Sequence, residues 1–144
     1  MLFRSVTSAG IVTFGTGNTL TTNGAQTYTG QVTGNGVTLI STLAGAAISA
    51  TNTSNDFTGN LTITTTATGS ANIVDTNALA LGVISTGSLT AKTLAGDLTL
   101  NGAITAGGPV VLQASNNITI SNPVSLSTSG AGFVAQAEIG RAHV

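Results

Sequence analysis

One stretch of this chain is written twice. Asp97-Leu98-Thr99-Leu100-Asn101-Gly102-Ala103-Ile104-Thr105 lines up with Asn117-Ile118-Thr119-Ile120-Ser121-Asn122-Pro123-Val124-Ser125 at an offset of 20 residues. After a three-residue insertion, Gly107-Gly108-Pro109-Val110-Val111-Leu112-Gln113-Ala114 matches Gly130-Ala131-Gly132-Phe133-Val134-Ala135-Gln136-Ala137 at an offset of 23. Upstream, Leu79 and Leu81 precede Leu98 and Leu100 by 19, Ile84 precedes Ile104 by 20, and Leu89 precedes Val110 by 21. Three successive units follow, about 77–96, 97–116 and 117–137. Looser units near 18–35, 36–59 and 60–76 share the same apolar–Thr–apolar core, in Leu20, Val37-Thr38-Leu39 and Leu61-Thr62-Ile63. A period of about 20 residues is the signature of a solenoid.

Inside each unit the apolar residues alternate, as in Leu98-x-Leu100, Val110-x-Leu112 and Ile118-x-Ile120. That is the period of a strand with one buried face. Gly, Asn, Ser or Pro separates the runs and supplies corners. Three short strands and three corners make one coil, and stacking the coils sets equivalent strands side by side in parallel. Leu98 then lies near Ile118, apolar residues stack inward, and Thr, Ser and Asn face solvent. The expected fold is an all-β parallel β-helix of about 20 residues per coil and roughly six coils, a rod on the order of 30 Å long. Few aromatic residues fill the interior, which suits a slender triangular coil. A β-sandwich would show similar local turn signals but would not generate the self-alignment.

Composition agrees. Charged residues make up 5% of the chain, against about a quarter in ordinary soluble domains, while hydrophobic residues reach 41%. Thr favours strands, Gly and Asn favour tight corners, and good helix formers are scarce. A net charge of −1 offers no electrostatic footprint for nucleic acid or an anionic membrane. No apolar run approaches the roughly 18 residues of a spanning helix. Ser5, Thr7, Ser8 and Gly10 break up the first apolar residues, so no signal peptide is expected. The absence of cysteine excludes disulfides and thiolate chemistry.

Both ends read as translated sequencing-adapter DNA. Met1-Leu2-Phe3-Arg4-Ser5 resembles GTG CTC TTC CGA TCT with the GTG taken as a start codon. Ile139-Gly140-Arg141-Ala142-His143-Val144 resembles ATC GGA AGA GCA CAC GTC, which a TGA stop triplet follows in the adapter. Glu138 fits a codon straddling the junction. Residues 1–5 and 138–144 are therefore set aside as artefacts, which leaves 6–137 as the natural repeat fragment, an internal piece of a longer gene. Setting them aside removes both arginines and the only histidine. Lys92, Asp56, Asp75 and Asp97 remain as the charged residues of 6–137.

Several stretches carry a family resemblance. Gly96-Asp97-Leu98-Thr99-Leu100-Asn101-Gly102-Ala103-Ile104, Gly87-Ser88-Leu89-Thr90 and Asn116-Asn117-Ile118-Thr119-Ile120 resemble the repeats of filamentous-haemagglutinin-type exoproteins. Gly24-Ala25-Gln26-Thr27-Tyr28-Thr29-Gly30 is similar to a turn-and-strand found there and in autotransporter passengers. The resemblance covers most of 6–137. It implies a right-handed β-helix exported across the outer membrane of a Gram-negative bacterium, by two-partner secretion through a transporter β-barrel or as an autotransporter. It further implies a role in adhesion, biofilm formation or contact-dependent competition, with host or cell-surface glycans or proteins met by regions outside the fragment. The Asn-Pro motifs of the two-partner secretion domain are not recognisable; Asn122-Pro123 falls at a repeat corner.

The residues themselves offer little chemistry. Acid–base catalysis needs two positioned titratable groups, and the three Asp and one Lys of 6–137 lie in different repeats. Asp56, Asp75 and Asp97 read as solvated turn acids, and Lys92 as a surface charge able to pair with Asp97 or Asp75. His143 lies in the adapter-like tail. Gly107-Gly108-Pro109 does not continue as a calcium-binding nonapeptide, and no glycine loop suits phosphate. Asn52-Thr53-Ser54, Asn60-Leu61-Thr62 and Asn117-Ile118-Thr119 fit glycosylation sequons, in a chain where chance matches are expected. Thr62-Ile63-Thr64-Thr65-Thr66 resembles the flat Thr arrays of ice-binding solenoids, but the equivalents expected from the repeat, Ala80, Asn101 and Ser121, break the array.

The sequence thus predicts no catalytic, cofactor or metal site, and a non-catalytic shaft segment of a secreted surface adhesin. The alternatives are a fragment of a β-helical carbohydrate-active enzyme, whose catalytic cluster lies elsewhere, and a glycan- or ice-binding face. The isolated fragment should self-associate through uncovered strand edges that almost no charge protects.

Overall fold

Alternating apolar and hydroxyl side chains do form strands throughout, and no helix is present among the described residues. The structure, a computed structural model, describes residues 4–121, 125–129 and 132–137. One sheet contains β1 (Val6–Ser8), β4 (Gln26–Tyr28), β7 (Ala47–Ala50), β10 (Ser70–Asp75), β12 (Ser88–Thr93), β15 (Val110–Ala114) and β18 (Phe133–Ala137), in that order. A second contains β3 (Thr19–Thr22), β6 (Thr38–Ser41), β9 (Asn60–Thr64) and β11 (Leu79–Thr86). It continues on one side as β13 (Leu98–Leu100) and β16 (Ile118–Ile120), and on the other as β14 (Ile104–Ala106) and β17 (Leu126–Thr128). A short third sheet holds β2 (Val12–Thr13), β5 (Val32–Asn35) and β8 (Asp56–Thr58). The ladders between these strands are parallel, and neighbours in each sheet belong to successive coils. The chain is a β-solenoid of about six turns with strands about 21 residues apart.

The repeat register is reproduced residue by residue. Leu79 pairs with Leu98 and Leu98 with Ile118; Ile84 pairs with Ile104, Leu89 with Val110, and Val110 with Phe133. The looser units align too, Leu20 with Leu39 and Leu39 with Ile63. Near the C-terminal end the pairing departs from the offset of 20. Ile104 faces Leu126, an offset of 22, and not Val124, which lies outside the described residues. A slip of two keeps the same side chains facing inward, so the apolar stack survives it.

Coils do not all have three strands. The third sheet ends at β8, where Gly59 turns the corner with φ +67°. One coil later residues 76–78 stand opposite β8 without forming a strand, and the eight-residue β11 starts opposite Gly59 and runs on past the end of β9. Leu61 pairs with Leu81 and Ile63 with Ile84, so β11 carries one extra residue there, a bulge at Gly82-Val83. The bulge restores parity: Leu81 and Ile84 both point inward, and Val83 is 55% exposed. A side chain at Gly82 would strike the Thr62 hydroxyl at 2.6 Å.

Inward residues form columns along the axis. One runs Val6, Gln26, Ile48, Ala71, Leu89, Val110, Phe133; another runs Leu20, Leu39, Ile63, Ile84, Ile104, Leu126. Large and small residues exchange sides between coils, with Ile48 and Ala50 stacked under Ala71 and Ile73, then Leu89 and Ala91. This exchange keeps the narrow interior filled at constant width. Each buried Leu or Ile stabilises the stack by about 1.5–3 kcal/mol relative to exposure.

Candidate functional site

Polar groups that reach inside the solenoid gather at its corners, because a corner breaks the ladder and leaves peptide groups without strand partners. The corner after the first sheet is the most polar. Buried Asn55 donates through Nδ2 to the Ala50 and Val74 carbonyls at 2.9 and 3.0 Å, and its Oδ1 accepts from the Val32 N–H at 2.7 Å. One coil later Asp75, 0% exposed, accepts from the Phe57 N–H at 2.7 Å through Oδ2 and from the Asn77 N–H at 2.9 Å through Oδ1. Another coil on, buried Thr93 donates to the Gly96 carbonyl and accepts from the Ser115 N–H. Asp97, half-buried, collects the Asn116 and Asn117 amides.

Asp75 departs from the expected solvated turn acid. Its carboxyl is pushed above the ordinary aspartate range by burial, with neighbouring Asp56 adding to the rise and its two backbone N–H partners opposing it. Asp56 and Asp97 keep partial solvent access at their corners. Asp56 accepts from Asn77 Nδ2 at 3.0 Å. Acids of different repeats are thus brought to one corner, which periodicity alone does not indicate. Lys92 stands exposed on the outward side of β12, in register with Val74 and Gln113.

A second polar cluster lies inside the early coils. Gln26 Nε2 donates to the Ile40 carbonyl at 2.8 Å and to Thr22 Oγ1 at 3.2 Å, and Tyr28 Oη donates to Gln26 Oε1 at 3.0 Å. Burial pushes the Tyr28 phenol up to about 12. Thr65 and Thr86 share a hydrogen bond of 2.7 Å between adjacent coils. Among the described residues no buried side-chain nitrogen or oxygen lacks a partner. Residue type alone does not mark Gln26, Thr22, Asn55, Thr65, Thr86 or Thr93 as inward polar groups; the one sequence signal is parity, since Gln26 and Tyr28 occupy inward positions of β4.

On the surface, the outward column of the second sheet runs Thr21, Ile40, Thr64, Ser85, Thr105, Ser127. The partners of Thr64 are therefore Ile40 and Ser85 and not the positions expected from the repeat, because the Gly82 bulge moves the register; Ala80 pairs with Asn60. The sequon asparagines are all engaged: Asn52 with Thr29 and Ser54, Asn60 with Asn101, Asn117 with Asp97. An open cleft of about 350 Å³ lies at the corner beyond β12, lined among the described residues by Lys92, Gln113, Ser115 and Gln136 and by no carboxylate. Such side chains can hydrogen-bond a polar molecule. Among the described residues no three His, Cys, Asp or Glu side chains converge as metal ligands, and no helix is long and apolar enough to cross a membrane. His143 lies outside the described residues.

These ladders define a parallel β-solenoid whose polar interior serves its own corners. Compared with known proteins, no family model, curated protein or solved structure matches the chain.

Proposed function

We propose that residues 6–137 are a segment of the shaft of a large exported bacterial surface protein, and that the segment is not itself catalytic. The observation that carries this reading is continuity: two inward columns run from the first described coil to the last with no interruption. In a solenoid each coil contacts only its neighbours, so every added coil buries its own core and lengthens the rod at a fixed cross-section. The physical output of such an array is distance, holding a binding region away from a cell surface. The buried polar side chains support the same reading, since Asn55, Asp75 and Thr93 spend their hydrogen bonds on corner peptide groups. The resemblance of the repeats to filamentous-haemagglutinin-type exoproteins supports export across an outer membrane, by two-partner secretion or as an autotransporter, and an adhesive setting.

Recovering the genomic sequence on both sides of 6–137 tests this proposal. The expected result is an open reading frame that replaces residues 1–5 and 138–144, continues the roughly 20-residue register through many more coils, and begins with a secretion domain. A short gene in which these coils carry a carboxylate cluster in an adjacent domain would instead support a carbohydrate-active enzyme and overturn the shaft.

A further inference from the structure

The chain contains three Asn-Gly pairs, Asn23-Gly24, Asn35-Gly36 and Asn101-Gly102. In such a pair the backbone nitrogen of the glycine can attack the side-chain amide carbon of the asparagine, because no Cβ on the second residue hinders the approach. The attack needs a nitrogen free to lose its proton and an amide free to turn toward it. The solenoid treats the three pairs differently.

Two of them are locked. The Gly36 N–H donates to the Thr58 carbonyl of the next coil at 2.8 Å. The Gly102 N–H donates to the Leu81 carbonyl at 3.3 Å, and the Asn101 amide is held at both ends, by Asn60 Oδ1 at 2.9 Å and by the Ser121 hydroxyl at 2.8 Å. The third pair is open. Asn23 is exposed at the corner between β3 and β4. The neighbouring coils take up the peptide groups on either side: the Thr22 carbonyl accepts from the Thr42 N–H, and the Ala25 carbonyl accepts from the Val6 N–H. Among the described residues the Gly24 N–H between them meets no acceptor. The Thr42 hydroxyl donates to Asn23 Oδ1 at 3.1 Å, the oxygen that gains negative charge as its carbon is attacked.

We propose that Asn23 is a site of spontaneous deamidation in the folded protein. The Gly24 nitrogen bonds to Asn23 Cγ, the Cγ–Nδ2 bond breaks, and Nδ2 leaves as ammonia with the proton that the Gly24 nitrogen gives up. Water then opens the resulting cyclic imide at either carbonyl and leaves an aspartyl or an isoaspartyl residue at position 23. Both products place a carboxylate on a segment that carries few charges. The isoaspartyl form also adds a methylene to the main chain, at a corner where the Gly24 carbonyl accepts from the buried Thr22 and Ser41 hydroxyls at 2.6 and 2.9 Å. Modification therefore loosens the first coils as the protein ages.

Ageing the full chain in mildly alkaline buffer tests this, with one portion native and one unfolded in urea. Pepsin digestion at low pH, which halts the reaction, followed by mass spectrometry reads each Asn-Gly pair. In the native portion Asn23 should convert roughly tenfold faster than Asn35 and Asn101, whose glycine N–H groups must first break a hydrogen bond, and in urea the three rates should converge. Equal native rates, or conversion of Asn35 or Asn101 ahead of Asn23, would overturn the proposal. So would an Asn23 that converts in urea and not in the native portion, or a ranking that persists in urea, which would place the difference in local sequence. Asn23→Gln, whose side chain is one methylene too long for the five-membered imide, should keep its urea midpoint on ageing while wild type loses stability. Equal losses in the two proteins would contradict the loosening of the first coils.

Discussion

The carboxylate of Asp75 holds the backbone N–H of Phe57 at 2.7 Å, across the boundary between two coils and with neither side chain reaching solvent. Phe57 belongs to the last strand of the third sheet, and Asp75 ends the strand that precedes β11. The contact therefore sits where the cross-section of the solenoid changes.

Its pH dependence has a definite sign. Burial raises the folded-state pKa of Asp75 above its ordinary value of 3.8, so the folded state favours the protonated acid. This group's contribution to stability is most favourable below pH 3.8 and is lost as pH climbs from there through the raised folded pKa, then levels off. Urea unfolding at a series of pH values should show a falling midpoint in that window for wild type, and no such fall for Asp75→Asn. Equal slopes in the two proteins would contradict the assignment.

Replacing the same residue two ways separates hydrogen bonding from charge. Asp75→Ala leaves the Phe57 and Asn77 N–H groups without their acceptor and should cost about 1–3 kcal/mol at neutral pH. Asp75→Asn removes the buried charge but keeps only one acceptor oxygen, setting its NH2 against the Phe57 or the Asn77 N–H, and should fall between wild type and Asp75→Ala. Chemical denaturation of both reads this directly.

The bulge in β11 predicts an asymmetry between neighbours. Leu81 is fully buried and Val83 is 55% exposed. Leu81→Ala should lose about 2–5 kcal/mol, whereas Val83→Ala should change stability by less than about 0.5 kcal/mol. Comparable losses would mean that the extra residue is placed elsewhere.

Close approach of coils at a corner makes a glycine irreplaceable. A Cβ on Gly87 would collide with the Gly69 carbonyl oxygen and would lie 2.6 Å from that of Ala67, whereas a Cβ on Gly10 meets nothing within 4 Å. Gly87→Ala should therefore cost about 1–3 kcal/mol through overpacking, and Gly10→Ala should be nearly neutral. Thermal unfolding of the two variants distinguishes them.

The parts of this fold that are legible in sequence are those governed by the period of two. Leu98, Ile118 and their partners alternate with hydroxyl residues, so register and facing follow from the self-alignment alone. The bulge is less legible: Gly82-Val83 looks like any other Gly-containing turn, and only pairing with β9 shows that the chain continues as one strand. That single inserted residue is why Thr64 meets Ser85. Ile104 meeting Leu126 has another origin, a two-residue slip that preserves facing. Asp75 differs from the expected solvated turn acid because a corner acid looks the same in sequence whether its carboxylate turns outward, as Asp97 partly does, or inward to cap a broken ladder. The inward turn of Asn55 is hidden in the sequence for the same reason. The Lys92 cleft left no trace in the sequence, since Lys92, Gln113 and Gln136 come from three coils and share only a register.

The shaft reading is tested most directly by length. Once flanking coils are recovered, the chain can be extended by known numbers of repeats and imaged by electron microscopy. Each added coil of about 20 residues should lengthen a rod of constant width by about 4.8 Å. Particles that instead grow in every dimension, or keep their length as coils are added, would contradict it.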